Sequence, residues 1–344
     1  MRIIIIGFGI VGESFARILS EKRRELTKNY GLRPDLVAVV DVKGAVVDQS
    51  GLGFEALYKS RRACGSIALH PKFKPAVSGI EIIEKIDADV VVEVTPTNIV
   101  NGEPGLSHIM VALKRKRHVV TSNKGPLALA LPALAELAAY NRVLLRFSGA
   151  VGGGTPVLDL GKKGLVGDKI ISLRGILNGT TNYVLSRMDE SEVTMEDALA
   201  EAQQKGYAEA DPSYDLRGID SACKLVITSN WVMGKSVTLR DVDVTGITEV
   251  TLDDVKRAKS EDCAVKLITS AEADRLVVKP EFVSRKHPLC VNGALNAVSF
   301  KAEYAGEVTI IGKGAGGTET GGAILRDLID IRRGIPVLGE EKKL

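Results

Sequence analysis

The chain opens on an unbroken apolar run, Arg2–Ile6 (RIIII), that stops at a glycine. A run of β-branched residues with no polar alternation describes a strand covered on both faces, as in a parallel sheet. Behind it the pattern predicts a helix from about Gly9 to Leu26, then a strand over Leu36–Val40 ending at Asp41. A third strand, Asp89–Val94, runs into Thr95-Pro96-Thr97, followed by helical spacing over Leu106–Lys116 and a short strand, His118–Thr121. An alanine-rich helix over Leu131–Tyr140 and a strand over Val143–Phe147 complete the series. Strands alternating with helices predict an α/β fold with a doubly wound sheet.

From about Gly149 the texture changes to glycine clusters, with strands predicted over Lys169–Leu177 and Arg240–Ile247 and helices over Met195–Lys205 and Gly218–Met233. This reads as a second, α+β domain. Near the end a glycine-rich loop, Gly312 to Gly322, leads into the helical run Ala323–Asp330, which suggests that the chain returns to the first domain. The expected division is therefore a first domain over 1–148 with a return segment at about 313–338, a second over 149–312, and a frayed tail after Gly334. No internal repeat or low-complexity segment interrupts this plan.

Composition narrows the class. A chain of 344 residues exceeds one average domain of about 150, in keeping with two. With only 4% aromatic residues the core must be mainly aliphatic. The 46 basic and 43 acidic residues nearly cancel, so no field is strong enough to imply a nucleic-acid or anionic-membrane partner. The basic runs Lys22–Arg24 and Lys114–Arg117 read as solvated helix faces. Cys64, Cys223, Cys263 and Cys290 are far apart with no CxxC pair, so neither zinc nor a disulfide framework is indicated and a reducing cytoplasm fits. No apolar stretch approaches the ~20 residues of a membrane span.

Candidate chemistry begins at Gly7-Phe8-Gly9-Ile10-Val11-Gly12, which follows a strand and opens a helix. In that context glycines allow a tight turn, close approach of a pyrophosphate and close helix packing, so the first domain is expected to be Rossmann-type and to hold a dinucleotide. Asp41, ending the second strand, would accept hydrogen bonds from the adenosine ribose and disfavour a 2′-phosphate, pointing to NAD. Lys43, Lys59, Arg61 and Arg62 lie near enough in sequence to neutralise such a phosphate, so NADP stays open.

The segment Gly206 to Asp220, GYAEADPSYDLRGID, packs four carboxylates ahead of a helix carrying Lys224. Carboxylates so close repel unless a cation sits among them, and a substrate ammonium would serve. A solvated acidic loop with Asp220 and Lys224 as an i,i+4 pair is the plainer alternative. Lys124, in Asn123-Lys124-Gly125-Pro126, follows the carboxyl end of a predicted strand, the edge where ligands bind in this fold. If Lys124 and Lys224 faced one dry site, their like charges would depress one pKa towards neutrality and make a general base.

The motifs GFGIVG, VEVTPT (92–97), TSNKGP (121–126), GILNGTTNY (175–183), GYAEADPSYDLRGIDSACK (206–224), HPL (287–289) with NAV (296–298), and GKGAGGTET (312–320) together resemble those of homoserine dehydrogenases, in the same order and over essentially the whole chain. The long segment ending at Lys224 is the most specific of them. The resemblance implies NAD- or NADP-dependent, reversible oxidation of L-homoserine to L-aspartate 4-semialdehyde, a step towards threonine and methionine. It implies Lys124 and Lys224 as catalytic lysines with Asp220 paired to Lys224, and Glu209 and Asp215 as holders of the substrate's amino and hydroxyl ends, helped by Tyr207 and Thr180 beside Gly179. Thr95, Pro96, Thr97 and Lys124, with Gly314, Gly316 and Thr318, would flank the nicotinamide. The second domain would bind substrate and form a homodimer through the segments 292–305 and 307–312. Ser148 stands where family members carry a glutamate ligand for a monovalent cation, leaving the carbonyls of Val151, Gly153 and Thr155 for at most a weak ion. A short form without a regulatory ACT domain is expected. Another amino-acid dehydrogenase, such as one acting on aspartate, and a non-catalytic NAD(H) sensor are the rival readings.

Overall fold

A computed structural model describes residues 1–273 and 275–334. The tail after Gly334 and the end of the return segment expected to reach 338 lie outside the described residues. Two compact units emerge. Among the described residues the first comprises 1–123, 133–149 and 320–334; the second comprises 124–132 and 150–319.

In the first unit Arg2–Ile6 (β1) is the middle strand, its four isoleucines at most 1% exposed. It pairs in parallel with Asp35–Asp41 (β2) on one side and Val90–Glu93 (β5) on the other. His118–Thr121 (β6) and Leu145–Arg146 (β7) extend the parallel part. Gly44–Val47 (β3) and Phe73–Pro75 (β4) add an antiparallel edge, giving the order β4-β3-β2-β1-β5-β6-β7. The hydrophobic pattern did not announce that edge, because four-residue and three-residue strands carry too few positions to show a period. The helix expected over 9–26 is two, Ile10–Glu21 and Arg23–Tyr30, broken where Lys22 leaves helical geometry. Only the first presents an apolar face, burying Phe15, Ala16, Ile18 and Leu19.

The returning helix, Gly317–Gly334, starts six residues before the expected Ala323. It enters the first unit at Thr320 and buries Ala323, Ile324, Leu325, Leu328 and Ile331. Gly321 lets it approach the first helix, since a Cβ there would lie 3.0 Å from the Phe15 nitrogen. Asp327 fixes its far side by accepting the Ser148 N–H at 2.8 Å. The helix expected over Leu131–Tyr140 begins earlier, at Lys124, and is interrupted at Ala130, whose φ of −145° and ψ of 19° are not helical. Lys124–Pro132 groups with the second unit.

The second unit is a six-stranded sheet. Ile170–Ile176 (β8), Val242–Val244 (β9), Cys263–Glu272 (β10), Arg275–Ser284 (β11), Leu295–Ala302 (β12) and Gly306–Lys313 (β13) lie in the order β13-β12-β8-β10-β11-β9. All neighbours are antiparallel except β9 beside β11. The strand expected over Arg240–Ile247 shrinks to three residues because Thr238 caps a turn at Leu239–Asp241. Gly179–Ser191 forms a helix capped by the Asn178 side chain, and Ile219–Val232 forms a second, almost entirely buried one. Among the described residues no helix is long and apolar enough to cross a membrane.

Phe15, 0% exposed in the first unit's core, is the largest fully buried side chain there among the described residues. Phe15→Ala should lower the unfolding free energy by about 3–5 kcal/mol, read as an earlier denaturant midpoint; a loss under about 1 kcal/mol would contradict the packing described.

Candidate active site

In the first unit the glycine loop is shaped by backbone contact. Gly7 has φ +100°, and a Cβ on it would lie 2.6 Å from the Val94 carbonyl oxygen. A Cβ on Gly12 would run into the carbonyl of Gly7, so this glycine lets the helix start directly on the loop. Around Gly9 a Cβ would meet nothing within 4 Å. No side chain caps the helix that follows, which leaves its first N–H groups available to an anion. Phe8 is buried in the core and Ile10 is 72% exposed, so these two contribute backbone and an apolar lip respectively, with the half-buried Val11 next along the helix. A strand, a glycine loop and an uncapped helix with open space at the middle glycine fit a dinucleotide pyrophosphate.

Asp41 sits at the end of β2 with both oxygens engaged. Oδ2 accepts from Ser66 Oγ at 2.6 Å and from Ile67 N at 2.9 Å, while Oδ1 accepts from Lys43 N at 2.8 Å. Arg61 is committed to Glu13 at 2.6 Å and Arg62 lies over the Tyr58 ring. The Thr95-Pro96-Thr97 loop is organised by a residue the sequence pattern hid, Glu93. Its carboxylate, fully buried at the end of β5, accepts from Thr95 N at 3.0 Å, from the Thr95 hydroxyl and from Thr121 Oγ1 at 3.1 Å. Asn123 then reaches Thr95 Oγ1 at 3.3 Å and Pro96 O at 3.4 Å.

In the second unit one carboxylate gathers the chemistry. Asp220, in the first turn of its helix, places Oδ1 3.2 Å from Lys124 Nζ and Oδ2 2.7 Å from Lys224 Nζ. Lys224 also donates to the Leu177 carbonyl at 2.6 Å. Asn178, at the start of the neighbouring helix, donates to Asp220 Oδ2 at 2.8 Å and to Asp215 Oδ1 at 2.6 Å, while its own Oδ1 accepts from Thr181 N. This amide is the main site residue that sequence reasoning passed over. Its only signal was the helix-capping position in Asn178-Gly179-Thr180.

These contacts set the charges. Burial pushes the Asp220 carboxyl up, but the Lys224 and Lys124 charges, with hydrogen bonds from Lys224 and Asn178, more than reverse it and hold it well below the usual carboxylate range. The Asp220 charge holds Lys124 above its ordinary value in spite of burial. At Lys124 the depression that a second like charge would bring does not occur, because the Asp220 carboxylate lies beside it. Asp215 moves up, through burial and then through the neighbouring Asp220. Burial and the same carboxylate push the Cys223 thiol up to about 12, leaving it protonated and inert.

The acidic segment does not form one cluster. Asp215 and Asp220 converge on Asn178, whereas Glu209 is exposed and Asp211 only caps the turn at Ser213. The cations that settle the buried pair are the protein's own lysines. Thr180 Oγ1 donates to Tyr207 O at 2.7 Å, and the Tyr207 ring, 48% exposed, packs on Tyr183 at 4.7 Å. Gly179 lies against the carbonyl of Ala294. In the glycine-rich loop, Gly314 is buried against the Asn296 amide, while Gly316 (φ +125°) and Thr318 are exposed.

For a monovalent cation, Val151, Gly153 and Thr155 offer neutral carbonyls only, and that of Thr155 already accepts from Val157 N at 2.8 Å. Ser148 has its N–H on Asp327 and its hydroxyl on Ala323 O. An ion here would have no charged ligand from this set, and among the described residues no three His, Cys, Asp or Glu side chains group to hold a metal.

Glycines cut to admit a pyrophosphate, in a chain that also keeps two ammonium groups on one buried carboxylate, define a nicotinamide-dependent oxidoreductase. Comparison with known proteins makes the class specific. Residues 7–148 match the family model described as homoserine dehydrogenase, NAD binding domain, and residues 156–329 match that described as homoserine dehydrogenase. A homoserine dehydrogenase of Methanocaldococcus jannaschii is 43% identical over 96% of this chain and 98% of its own length. An NAD(+)-dependent homoserine dehydrogenase of Pseudomonas canavaninivorans is 38% identical, covering 96% of each chain. The structure of a hyperthermophilic archaeal homoserine dehydrogenase in complex with NADPH superposes with a TM-score of 0.86 at 28% identity, covering 97% of this chain and 98% of that one. The chain belongs to the homoserine dehydrogenase family, and is an NAD(P)-dependent oxidoreductase.

Removing the central charge tests this electrostatic arrangement. Asp220→Asn should shift the rising limb of the pH profile of homoserine oxidation to lower pH, because Lys124 loses the anion that raises it, and should cost about 3 kcal/mol of stability by leaving the buried Lys224 and half-buried Lys124 ammonium groups without their carboxylate. The stabilisation is carried by the ionised carboxylate, whose folded pKa lies below its unfolded value. It is therefore complete above about pH 4 and lost as the pH falls further. An unchanged pH–rate profile in the variant would contradict the assignment.

Proposed function

We propose that the second unit binds L-homoserine around Asp215, Thr180 and Gly179 and that Lys124 carries the proton of the reacting hydroxyl. The observation behind this choice is the unequal commitment of the two lysines. Lys224 is 8% exposed at its side chain and spends donors on Asp220 and on the Leu177 carbonyl, whereas Lys124 is 27% exposed and meets Asp220 at the longer distance. Lys224 orients Asp220 and adds positive potential. Lys124 has donors to spare for a substrate oxygen.

Bound dinucleotide supplies the hydride acceptor for oxidation and the donor for reduction. In oxidation Lys124 must be neutral to take the hydroxyl proton, and a pKa held high by Asp220 makes that direction faster as the pH rises. In reduction the charged Lys124 polarises the aldehyde oxygen and then protonates it, so one group serves as electrostatic stabiliser and acid. Asp215, with a raised pKa, accepts the substrate's hydroxyl end beside Asn178, and the exposed Glu209 and Tyr207 are assigned to its amino end.

The pyrophosphate would lie along residues 7–12, with Thr95, Pro96, Thr97, Gly314, Gly316 and Thr318 near the nicotinamide. NAD is the preferred cofactor: a 2′-phosphate at the end of β2 would face the fixed Asp41 carboxylate, and the nearby Arg61 is already paired with Glu13. A homodimer is supported by β13, an edge strand on which Val308 and Ile310 are half-buried and Ile311 is 49% exposed, an edge of the kind that proteins cover. Four free cysteines suit a reducing cytoplasm.

A spectrophotometric assay of homoserine oxidation, run with NAD and NADP separately, should give the larger kcat/KM with NAD. Lys124→Ala should lower kcat by about 10²–10⁴-fold, the size of a lost proton-transfer group. Lys224→Ala should raise homoserine KM and lower kcat, and near-normal turnover by Lys124→Ala would remove its role. Sedimentation at micromolar concentration should give a dimer, and a monomer throughout would end that part of the proposal.

A further inference from the structure

One buried cation takes no part in this chemistry. Lys266, in the middle of β10, is 1% exposed and has no carboxylate partner among the described residues. Its Nζ instead meets four neutral oxygens: Asn182 Oδ1 at 3.0 Å, Ser186 Oγ at 3.1 Å, Val291 O at 2.8 Å and Asn292 Oδ1 at 3.3 Å. Burying an ammonium without an anion is costly, and an apolar chain of the same length would fill the space without that cost. What the charge adds is the gathering of oxygens from two separate pieces of chain, the helix Gly179–Ser191 and the segment before β12.

That segment reaches the substrate end of the helix. Asn182, fixed by Lys266, donates its amide to Val291 O at 3.1 Å and to Leu295 O at 2.9 Å. Between those two carbonyls lies Ala294, whose own oxygen packs on Gly179 so closely that a Cβ there would come within 2.8 Å. Gly179 is followed by Thr180, which anchors Tyr207, and preceded by Asn178, which holds Asp215 and Asp220. We infer that Lys266 is a positioning residue for homoserine, holding segment 291–295 so that Ala294 fixes the end of the helix that carries Asn178, Gly179 and Thr180. The inference rests on the reading that Gly179 and Thr180 face the substrate.

Burial pushes the Lys266 pKa down to about 8, the charged groups around it being the Cys290 thiol, Asp189, Glu190 and Arg285. Asp189 is itself held by both Arg285 nitrogens, at 2.9 and 2.7 Å, and so is not free to pair with the lysine. Between about pH 8 and the ordinary lysine value the folded protein binds fewer protons than the unfolded chain at this site. Stability from Lys266 therefore rises with pH across that window.

The test compares Lys266→Met, Asn292→Ala and Thr180→Val with the wild type. Lys266→Met should raise homoserine KM about tenfold, leave NAD KM and kcat within about twofold, keep the melting temperature, and lose the stability rise above pH 8. An unchanged homoserine KM in folded Lys266→Met overturns the inference, as does an equal loss in every kinetic constant together with a lower melting temperature. Should Lys266→Met fail to fold, Asn292→Ala decides: it removes one exposed acceptor and should raise homoserine KM about threefold, and no change overturns the inference. Thr180→Val separates the two levels. If it leaves homoserine KM untouched, the underlying substrate reading fails; if it raises KM while Lys266→Met does not, only the role of Lys266 fails.

Discussion

A single buried carboxylate, Asp220, is the constraint around which the second unit is arranged. Left alone in a low-dielectric interior its charge would be lost to protonation. It stays ionised because Lys124, Lys224 and Asn178 supply three donors within 3.2 Å. Each of those partners needs its own placement. Lys224 lies one helical turn beyond Asp220, Asn178 caps another helix, and Lys124 opens a third, which is interrupted at Ala130. Loss of the carboxylate would leave two ammonium groups facing each other, so the elements carrying them are held to one geometry by charge as well as by packing.

The balance of this cluster also sets its chemistry. Two ammonium groups meet Asp220 here, with Asp215, whose pKa is raised, sharing Asn178 beside it. In the proposed reaction these ammonium groups would stabilise an oxygen that gains negative charge as hydride is transferred, already in place without reorganisation. The same arrangement keeps Lys124 a strong holder of its proton. In the proposed role it would act as an acid in aldehyde reduction and as a base only at high pH, so the pH dependence of each direction's rate would follow from where Asp220 sits.

Preorganisation in the first unit uses a different device. Glu93 is buried with His108 Nδ1 at 3.9 Å, and its oxygens are instead taken up by Thr95 and Thr121. A chain of hydrogen bonds from β5 to Thr95 and on to Asn123 thereby gives the loops at the carboxyl ends of two parallel strands a defined shape, at the edge where such sheets bind ligands. Lys266 does the comparable task in the second unit with a cation in place of an anion.

Much of this was legible in the residues themselves. The apolar run Arg2–Ile6 determines a doubly covered strand because each side chain must leave water, and Gly7 and Gly12 mark a turn that a Cβ would obstruct. The spacing of Asp220 and Lys224 determines an i,i+4 pair on any helix, and the motif order carried the family. Tertiary structure alone decided the rest. The short edge strands β3 and β4 depend on pairing with β2 more than on their own pattern. The raised pKa of Lys124 could not be foreseen because it hinges on a carboxylate 96 positions away in the chain. Asn178, Glu93 and Lys266 look unremarkable in sequence because a polar side chain's role is set by what stands within about 3 Å of it. Periodicity records which side chains leave water; it carries no information about which polar groups meet once they have.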